Sequence, residues 1–378
     1  MTYNFKTIEE APIVSGTKVL LRLDLNLPII AGKVQGDFRI TRSLPTLNFL
    51  KARAARTVIL AHTDSKETDS LRAVAEYLKK FVEVEFVETI AELPERLTAL
   101  RPGGFLFLEN LRRNLGEEAN DETFAKMLAS LGEVYINDAF AVSHRKHASV
   151  VGIPKFLPSF AGFLLQDEIS HLSTAFNPSH PFVFILAGDK FETKLPLVNK
   201  FLGLADTVFI GGALANDLFK AKGYEIGRSK HSPRDFGFKD IVSNPKVMIP
   251  TDVDVEVSEY GLRKTVGVSS VVMGEAIYDA GMDSVIELGK KIAEAKFVLW
   301  NGTLGAYEKG FTRGTELLAQ AIAQSKAHSI VGGGDTLSTL SKLGLMEKFS
   351  FVSTGGGAML EFLATETLPG IEALENSK

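Results

Sequence analysis

Short apolar runs alternate with amphipathic segments along almost the whole chain. In the first half the runs are "KVLLRLDLN", "TVILAHT", "EVEFVET", "GFLFLEN" and "VYINDAF". In the second half they are "FVFILAG", "TVFIGGA", "VMIPTDV", "KFVLWNG", "HSIVGGG" and "FSFVSTGGG". Most are continuous Val, Ile, Leu and Phe rather than strict alternation, which suits parallel strands covered on both faces. Between them, "SLRAVAEYLKK" puts Leu71, Val74, Ala75 and Leu78 on one helical face behind a Ser70 N-cap. "TELLAQAIAQS" and "DTLSTLSKLG" follow the same period, the second ending at a Gly344 C-cap. Strand–helix alternation of this kind predicts an α/β architecture with parallel sheets. Residues 156–181 read as a helix flanked by prolines with the loop "NPSHP" behind it, and mark a seam between two domains. The tail "LPGIEAL" follows the last strand–helix pair and packs back on one domain or the other.

The remaining properties narrow this picture. A length of 378 residues exceeds what one hydrophobic core usually serves, in keeping with two domains. Hydrophobic residues at 45% and charged residues at 23% are those of an ordinary globular protein. A net charge of −4 argues against general attraction to nucleic acid or an anionic membrane, so an anionic ligand must be drawn by local Lys and Arg. The absence of cysteine excludes disulfides, thiolate metal sites and cysteine nucleophiles. "MTYNFKTIEEAPIVSG" lacks the regions of a signal peptide, and no apolar run has transmembrane length; the expected location is cytoplasmic.

Polar and glycine residues gather at the carboxyl ends of the strands, where open parallel sheets bind ligands. In the first half these are Asp24, Asn26, His62, Glu109, Asn110, Arg112 and Asp138, with Arg39 and the "SHRKH" segment carrying Arg145 nearby. Arginine forks match phosphate and carboxylate oxygens, so this is an inventory for a small phosphorylated acid, although each arginine alone also reads as a solvated charge. His144 and His147 read as loop hydrogen-bonders, since no Ser or Cys nucleophile pairs with them. The second half is glycine-rich, with Lys190 and Lys194 four apart in "GDKFETK", then Asp252, Glu308 and Asp335. Bare backbone N–H groups, two lysines and a carboxylate suit a nucleotide polyphosphate with Mg²⁺. Strand-to-helix turns also need Gly and Asn on their own account, and Asp335 is equally placed to be an ordinary N-cap. No G-x-x-x-x-G-K-[ST], G-x-G-x-x-G, H-E-x-x-H or G-x-S-x-G occurs at these turns.

Taken together, "LRLDLNLP", "GDFRI", "LENLRRNLGEE", "NDAFAVSHRKHASVVGIPKFLPSFAGFLLQDE", "VLWNGTLGAYE", "VGGGDTLSTLSKLGL" and "STGGGAMLEFL" resemble phosphoglycerate kinases, in order from about residue 18 to the end. The resemblance implies two doubly wound, Rossmann-like parallel-sheet domains joined by a helix and hinge. Residues 1–165 would bind phosphoglycerate, 166–362 the nucleotide, and 363–378 would form a tail packing back on the N-terminal domain. It implies a phosphoryl transfer between 1,3-bisphosphoglycerate and ADP, giving 3-phosphoglycerate and ATP, with Mg²⁺, in a monomer. By similarity Asp24, Leu25 and Asn26 would hold the glycerate, Arg39 would flank the group in flight, and His62, Ser65, Arg112 and Arg145 would surround the far phosphate. Lys190 and Lys194 would face the nucleotide phosphates, with Lys194 and Gly356 joining Arg39 as the catalytic set. Gly211, Gly212 and Asn301 would lie along the nucleotide, Glu308 at its ribose, and Gly333, Gly334, Asp335 and Thr336 at its phosphates, Asp335 also meeting the metal.

The chain departs from the family pattern at "AHTDSKETDS", where "SHLGRPKG" is usual: Ser65 replaces an arginine, Asp64 adds a negative charge, and Lys66 offers only an ammonium in exchange. "AGDK" for "GGAK" sets Asp189 beside Lys190, and "GGALA" and "NGTLG" replace "GGGMA" and "NGPMG". Two readings follow: an active kinase with weakened phosphoglycerate binding, or a divergent member serving as a nucleotide-binding regulatory protein.

Overall fold

The computed structural model describes residues 3–65, 67–257 and 261–377; Lys66 lies outside them. The chain divides into two compact units, one formed by the residues up to Ser170 with those from Thr365 onward, the other by His171–Ala364. The boundary falls within the helix Phe163–Ser173.

The first unit is built on six parallel strands in the order Val84–Val87, Phe105–Leu108, Arg56–Leu60, Lys18–Leu23, Val134–Asp138 and Ser159–Ala161. The central strand pairs with both neighbours over five residues, Lys18 to Arg22 against Arg56 to Leu60 and Val19 to Leu23 against Val134 to Asp138. Its apolar residues are buried without remainder, because helices cover both faces of a parallel sheet. The strand Ser159–Ala161 lies inside the segment that the sequence assigned wholly to a proline-flanked helix. Pro158 does not interrupt it: Pro158 donates nothing, but its carbonyl accepts from Tyr135 N–H at 3.0 Å.

The second unit carries six parallel strands in the order Val247–Met248, Thr207–Ile210, Phe182–Leu186, Phe297–Asn301, His328–Gly332 and Phe351–Val352. Trp300 is fully buried there, and its indole N–H donates to the Gly302 carbonyl at 2.8 Å, tying the strand end to the loop behind it. A separate antiparallel sheet, Leu262–Gly267, Asp252–Val257 and Glu275–Ala280, has no counterpart in the sequence reading. Leu262–Gly267 is exposed along nearly its whole length, so no apolar pattern marks it. "VMIPTDV" therefore does not form one strand ending at Asp252. It stops at Met248, and Asp252 opens the antiparallel strand, its carboxylate accepting from Ser284 N–H at 2.8 Å and Asp283 N–H at 3.1 Å at the start of the helix Met282–Glu294. Asp252 is a helix cap, not a ligand group.

Three helices meet their expectation closely: Arg72–Leu78, Arg313–Gln324 and Gly334–Lys342. Ser70, the expected N-cap, lies one residue before the observed cap position, Leu71; its hydroxyl oxygen still accepts from Arg72 N–H at 3.2 Å while donating to Glu109 at 2.7 Å. Gly344 takes the left-handed conformation (φ 66°) that closes its helix.

Candidate active site

In the second unit the four central strands end in glycine-containing loops that approach one another backbone to backbone. Gly188 (φ 118°), Gly212 (φ 62°), Gly302 (φ 94°) and Gly333 (φ 111°) all lie in the region that disfavours side chains. A methyl group on Gly212 would meet Gly188 N at 2.7 Å and Thr303 O at 3.1 Å, and one on Gly302 would strike the Ala187 carbonyl. Gly356, first residue of the helix Gly356–Thr365, lies against Gly333 and Gly334. Helices beginning at Phe191, Ala213, Gly334 and Gly356 thus point their N-termini, rich in unpaired N–H groups, toward one glycine-lined end of the sheet.

A cavity of about 580 Å³ opens beside these loops. It brings Gly212, Glu308 and Asp335 together with Gly188, Asp189 and Lys230. Asp335 does not cap its helix: Gly333 occupies the N-cap position, and the exposed Asp335 carboxylate has no hydrogen-bond or ion-pair partner among the described residues. The capping reading is therefore overturned, because the tight turn through three glycines starts the helix at Gly334 and puts the N-cap two residues ahead of the aspartate. Thr336 is fully buried in the same turn, and its hydroxyl oxygen has no partner.

Lys194 is 8% exposed, and its ammonium donates to the Ala187 carbonyl beside Gly188. Burial pushes its pKa down to about 8, against a smaller upward pull from Asp189. Lys190 is exposed at the N-cap of the helix Phe191–Leu204. Asp189 does not confront the lysines alone: it pairs with Lys230 at 2.6 Å, and that hydrogen bond holds its carboxyl below the usual range. Gly211 and Asn301 lie behind the cavity wall, Gly211 packed against Leu304 and Phe209, Asn301 with its amide toward the Met359 sulfur at 3.9 Å.

Sequence reasoning did not find Tyr278, Asn216, Lys309 or Asp279, which also line this cavity. Tyr278 and Asp279 belong to the antiparallel sheet that the apolar pattern does not reveal. Lys309 donates to the Tyr278 hydroxyl at 2.6 Å and lies over its ring, 4.1 Å from the centroid. Asp279 is raised to about 7, burial outweighing the N–H groups of Gly314 and Ala280 that it accepts.

In the first unit the strand Lys18–Leu23 delivers Arg22, Asp24 and Asn26 to its carboxyl end. Arg22 is completely buried; it donates to Ser149 Oγ at 2.9 Å, to backbone carbonyls, and to His62 Nδ1 at 3.1 Å. A single charge inside "VLLRL" is the signal that marks it, since an arginine in a buried strand requires partners. Asp24, 1% exposed, pairs with Arg39. The Asn26 carboxamide oxygen accepts from Asp64 N–H at 3.1 Å. Leu25 is fully buried, so its contribution to a ligand is restricted to backbone. Arg112 pairs with Asp64. Ser65 donates its N–H to Thr63 Oγ1 at 3.2 Å and accepts from Glu67 N–H at 3.2 Å. Arg145 is exposed on the segment that also holds His144 and His147. Burial lowers the pKa of His62 far below its ordinary value, of His144 to about 4, and of His147 as well, with nearby arginines reinforcing each. The imidazoles are neutral near pH 7; His62 is hydrogen-bonded through Nδ1, whereas the buried Nδ1 atoms of His144 and His147 have no hydrogen-bond partner among the described residues, against their expectation as loop hydrogen-bonders.

Glycine loops and an uncapped aspartate on one unit, and arginines around neutral histidines on the other, suit anionic ligands, and comparison with known proteins supplies the family. A family model described as phosphoglycerate kinase matches residues 8–366. The phosphoglycerate kinase of Orientia tsutsugamushi (strain Ikeda) is 39% identical over 386 residues, covering 96% of this chain and 95% of that protein. That of Roseiflexus sp. (strain RS-1) is 37% identical over 384 residues, covering 96% and 97%. The solved structure of phosphoglycerate kinase from Coxiella burnetii has 36% identity and a TM-score of 0.83, covering 99% of this chain and 100% of its own. That from Pyrococcus horikoshii OT3 has 30% identity and a TM-score of 0.86, covering 98% of each. Sequence, fold and local geometry converge: the chain belongs to the phosphoglycerate kinase family.

Proposed function

We propose that this chain catalyses the reversible transfer of a phosphoryl group from 1,3-bisphosphoglycerate to ADP, giving 3-phosphoglycerate and ATP, as a glycolytic phosphotransferase with a carboxyl group as acceptor. Family membership supports the reaction. The observation that carries the site assignment is the Asp335 carboxylate, unpartnered at a helix start inside the glycine-lined cavity.

The nucleotide polyphosphate lies along the helix N-termini beside Gly188, Gly212, Gly333, Gly334 and Gly356, where N–H groups replace its water; a side chain would collide with the protein at Gly188 and Gly212, while Gly334 faces open space. Lys190 and Lys194 neutralise the phosphates, Glu308 takes the ribose, and Asn301 supports the wall. The residues fit Mg²⁺ carried by the nucleotide: among the described residues no group of three His, Asp or Glu could cage a metal, while Asp335 and the orphaned Thr336 hydroxyl stand at the phosphate turn. When bound, Mg²⁺ neutralises charge on the phosphate oxygens. On the other unit, Asp24, Asn26 and the Leu25 backbone hold the glycerate, and His62, Ser65, Arg112 and Arg145 receive its phosphate. The acceptor carboxylate is already ionised near pH 7, so no general base is needed. Catalysis is positioning of the in-line groups and neutralisation of charge by Arg39, Lys194 and the N–H groups at Gly356. Hinge closure, a monomeric state and a cytoplasmic location belong to the same proposal.

A purely regulatory nucleotide-binding role is not favoured, because that role gives no reason to keep Arg39 and Lys194. ATP formation from ADP and 1,3-bisphosphoglycerate by purified protein decides the matter. Turnover no greater than that of an Asp335→Ala variant overturns the kinase assignment.

A further inference from the structure

We infer that Asp64 is a built-in competitor for the phosphate of the substrate, resting on the assignment of His62 and Arg112 to that phosphate. The Asp64 carboxylate pairs with one donor and stands near a second without a hydrogen bond to it. One oxygen pairs with Arg112 Nη1, and the other faces His62 Nε2 at 3.9 Å. His62 Nδ1 receives an N–H from the buried Arg22 at 3.1 Å, and a guanidinium has no acceptor to offer in return. The proton of the neutral ring is therefore on Nε2, directed at Asp64.

The segment around Asp64 is pinned. Its own N–H donates to Asn26 Oδ1 at 3.1 Å, Thr63 N–H donates to Asn110 Oδ1 at 3.3 Å, and Asn110 Nδ2 returns to the Thr63 carbonyl at 3.1 Å. Arg112 is held by the same amide, its backbone N–H donating to Asn110 Oδ1 at 3.1 Å, with Glu118 3.4 Å from its Nε. Asn110 thus fixes both partners at the distance of an ion pair, and the pair occupies the donors that an incoming phosphate needs. Arg112 is 16% exposed and Asp64 52%, so the carboxylate covers the guanidinium and can swing into water when displaced. A phosphate monoester must exchange this contact before it gains its own.

The test uses the full-length enzyme with Asp64→Asn and Asp64→Ala, substitutions at an exposed side chain. Affinity for 3-phosphoglycerate and, separately, for inorganic phosphate is titrated by NMR or calorimetry, and KM is measured for both substrates. An exposed ion pair predicts roughly a three- to tenfold gain in affinity for both anions in both variants, with KM for MgATP unchanged. A merely structural pair predicts the opposite, unchanged or weaker anion binding, and that result overturns the inference. If 3-phosphoglycerate is neither bound nor turned over by any variant, the kinase assignment falls. The inorganic phosphate titration then still reads Asp64: tighter binding in the variants upholds the competition, and equal or weaker binding ends it.

Discussion

Gly212→Ala is the sharpest probe of the backbone-to-backbone packing at the nucleotide cavity. Gly212 has φ 62° and ψ −156°, a conformation that alanine adopts at a cost of about 1–3 kcal/mol. The added methyl would also meet backbone atoms alone, Gly188 N at 2.7 Å, Gly188 O at 3.0 Å and Thr303 O at 3.1 Å, so no flexible side chain can yield. Forcing the loops apart adds roughly 1–3 kcal/mol, as other overpacked sites do. The total of about 2–6 kcal/mol corresponds to a fall of roughly 4–24 °C in melting temperature for a unit of this size. Gly223 provides an internal control: its φ is also positive, at 82°, but nothing lies within 4 Å of an added methyl. Gly223→Ala therefore carries only the conformational cost, about 1–2 kcal/mol. Thermal melts of both variants separate the two contributions, and initial rates at varied MgADP read the cavity. Gly212→Ala should raise KM for MgADP about tenfold or more, since a shift of an ångström at a phosphate wall is expensive, whereas Gly223→Ala should leave KM unchanged. Equal melting temperatures for the two variants, or an unaltered KM in Gly212→Ala, would refute the packing account.

Asp335→Ala should lower turnover about a hundredfold or more, while its unfolding free energy moves by less than about 1 kcal/mol, because the carboxylate caps nothing; a large loss of stability with turnover intact would restore the capping reading. Lys194 is a cation below its pKa of about 8 and neutral above it. kcat/KM for the Mg-nucleotide should accordingly fall by about tenfold per pH unit above that value; Lys194→Arg should flatten this limb, since arginine stays charged, and a wild-type profile level from neutral to strongly alkaline pH would contradict the assignment. Ser65→Arg should lower KM for 3-phosphoglycerate by supplying a second fork. The gain should be larger when combined with Asp64→Asn, and an unchanged KM in both would remove Ser65 from the phosphate site.

Much of this protein is legible before folding is considered. Continuous Val, Ile, Leu and Phe runs between amphipathic segments dictate parallel sheets, because only strands buried on both faces can be so uniformly apolar. The residue types at the strand ends, glycine and lysine in one half and arginine in the other, already name phosphate chemistry. The antiparallel sheet of residues 252–280 was not legible, since its outer strand buries almost nothing and leaves no periodicity to read. With it went Tyr278 and Asp279, which enter the cavity only through that sheet.

Local pattern determined the elements and the chemical inventory, because periodicity and side-chain type are properties of neighbouring residues. Partnership was decided by the tertiary structure, because it depends on which distant segments meet. Asp252 and Asp335 look alike as aspartates at element ends; one is consumed by the N-terminus of a helix 30 residues away, and the other is left facing a cavity. Asp64 and Asp189 look alike as added charges. One covers Arg112 and the other is tied to Lys230. A charge in a chain has a sign from its sequence, and a task only from what folding places beside it.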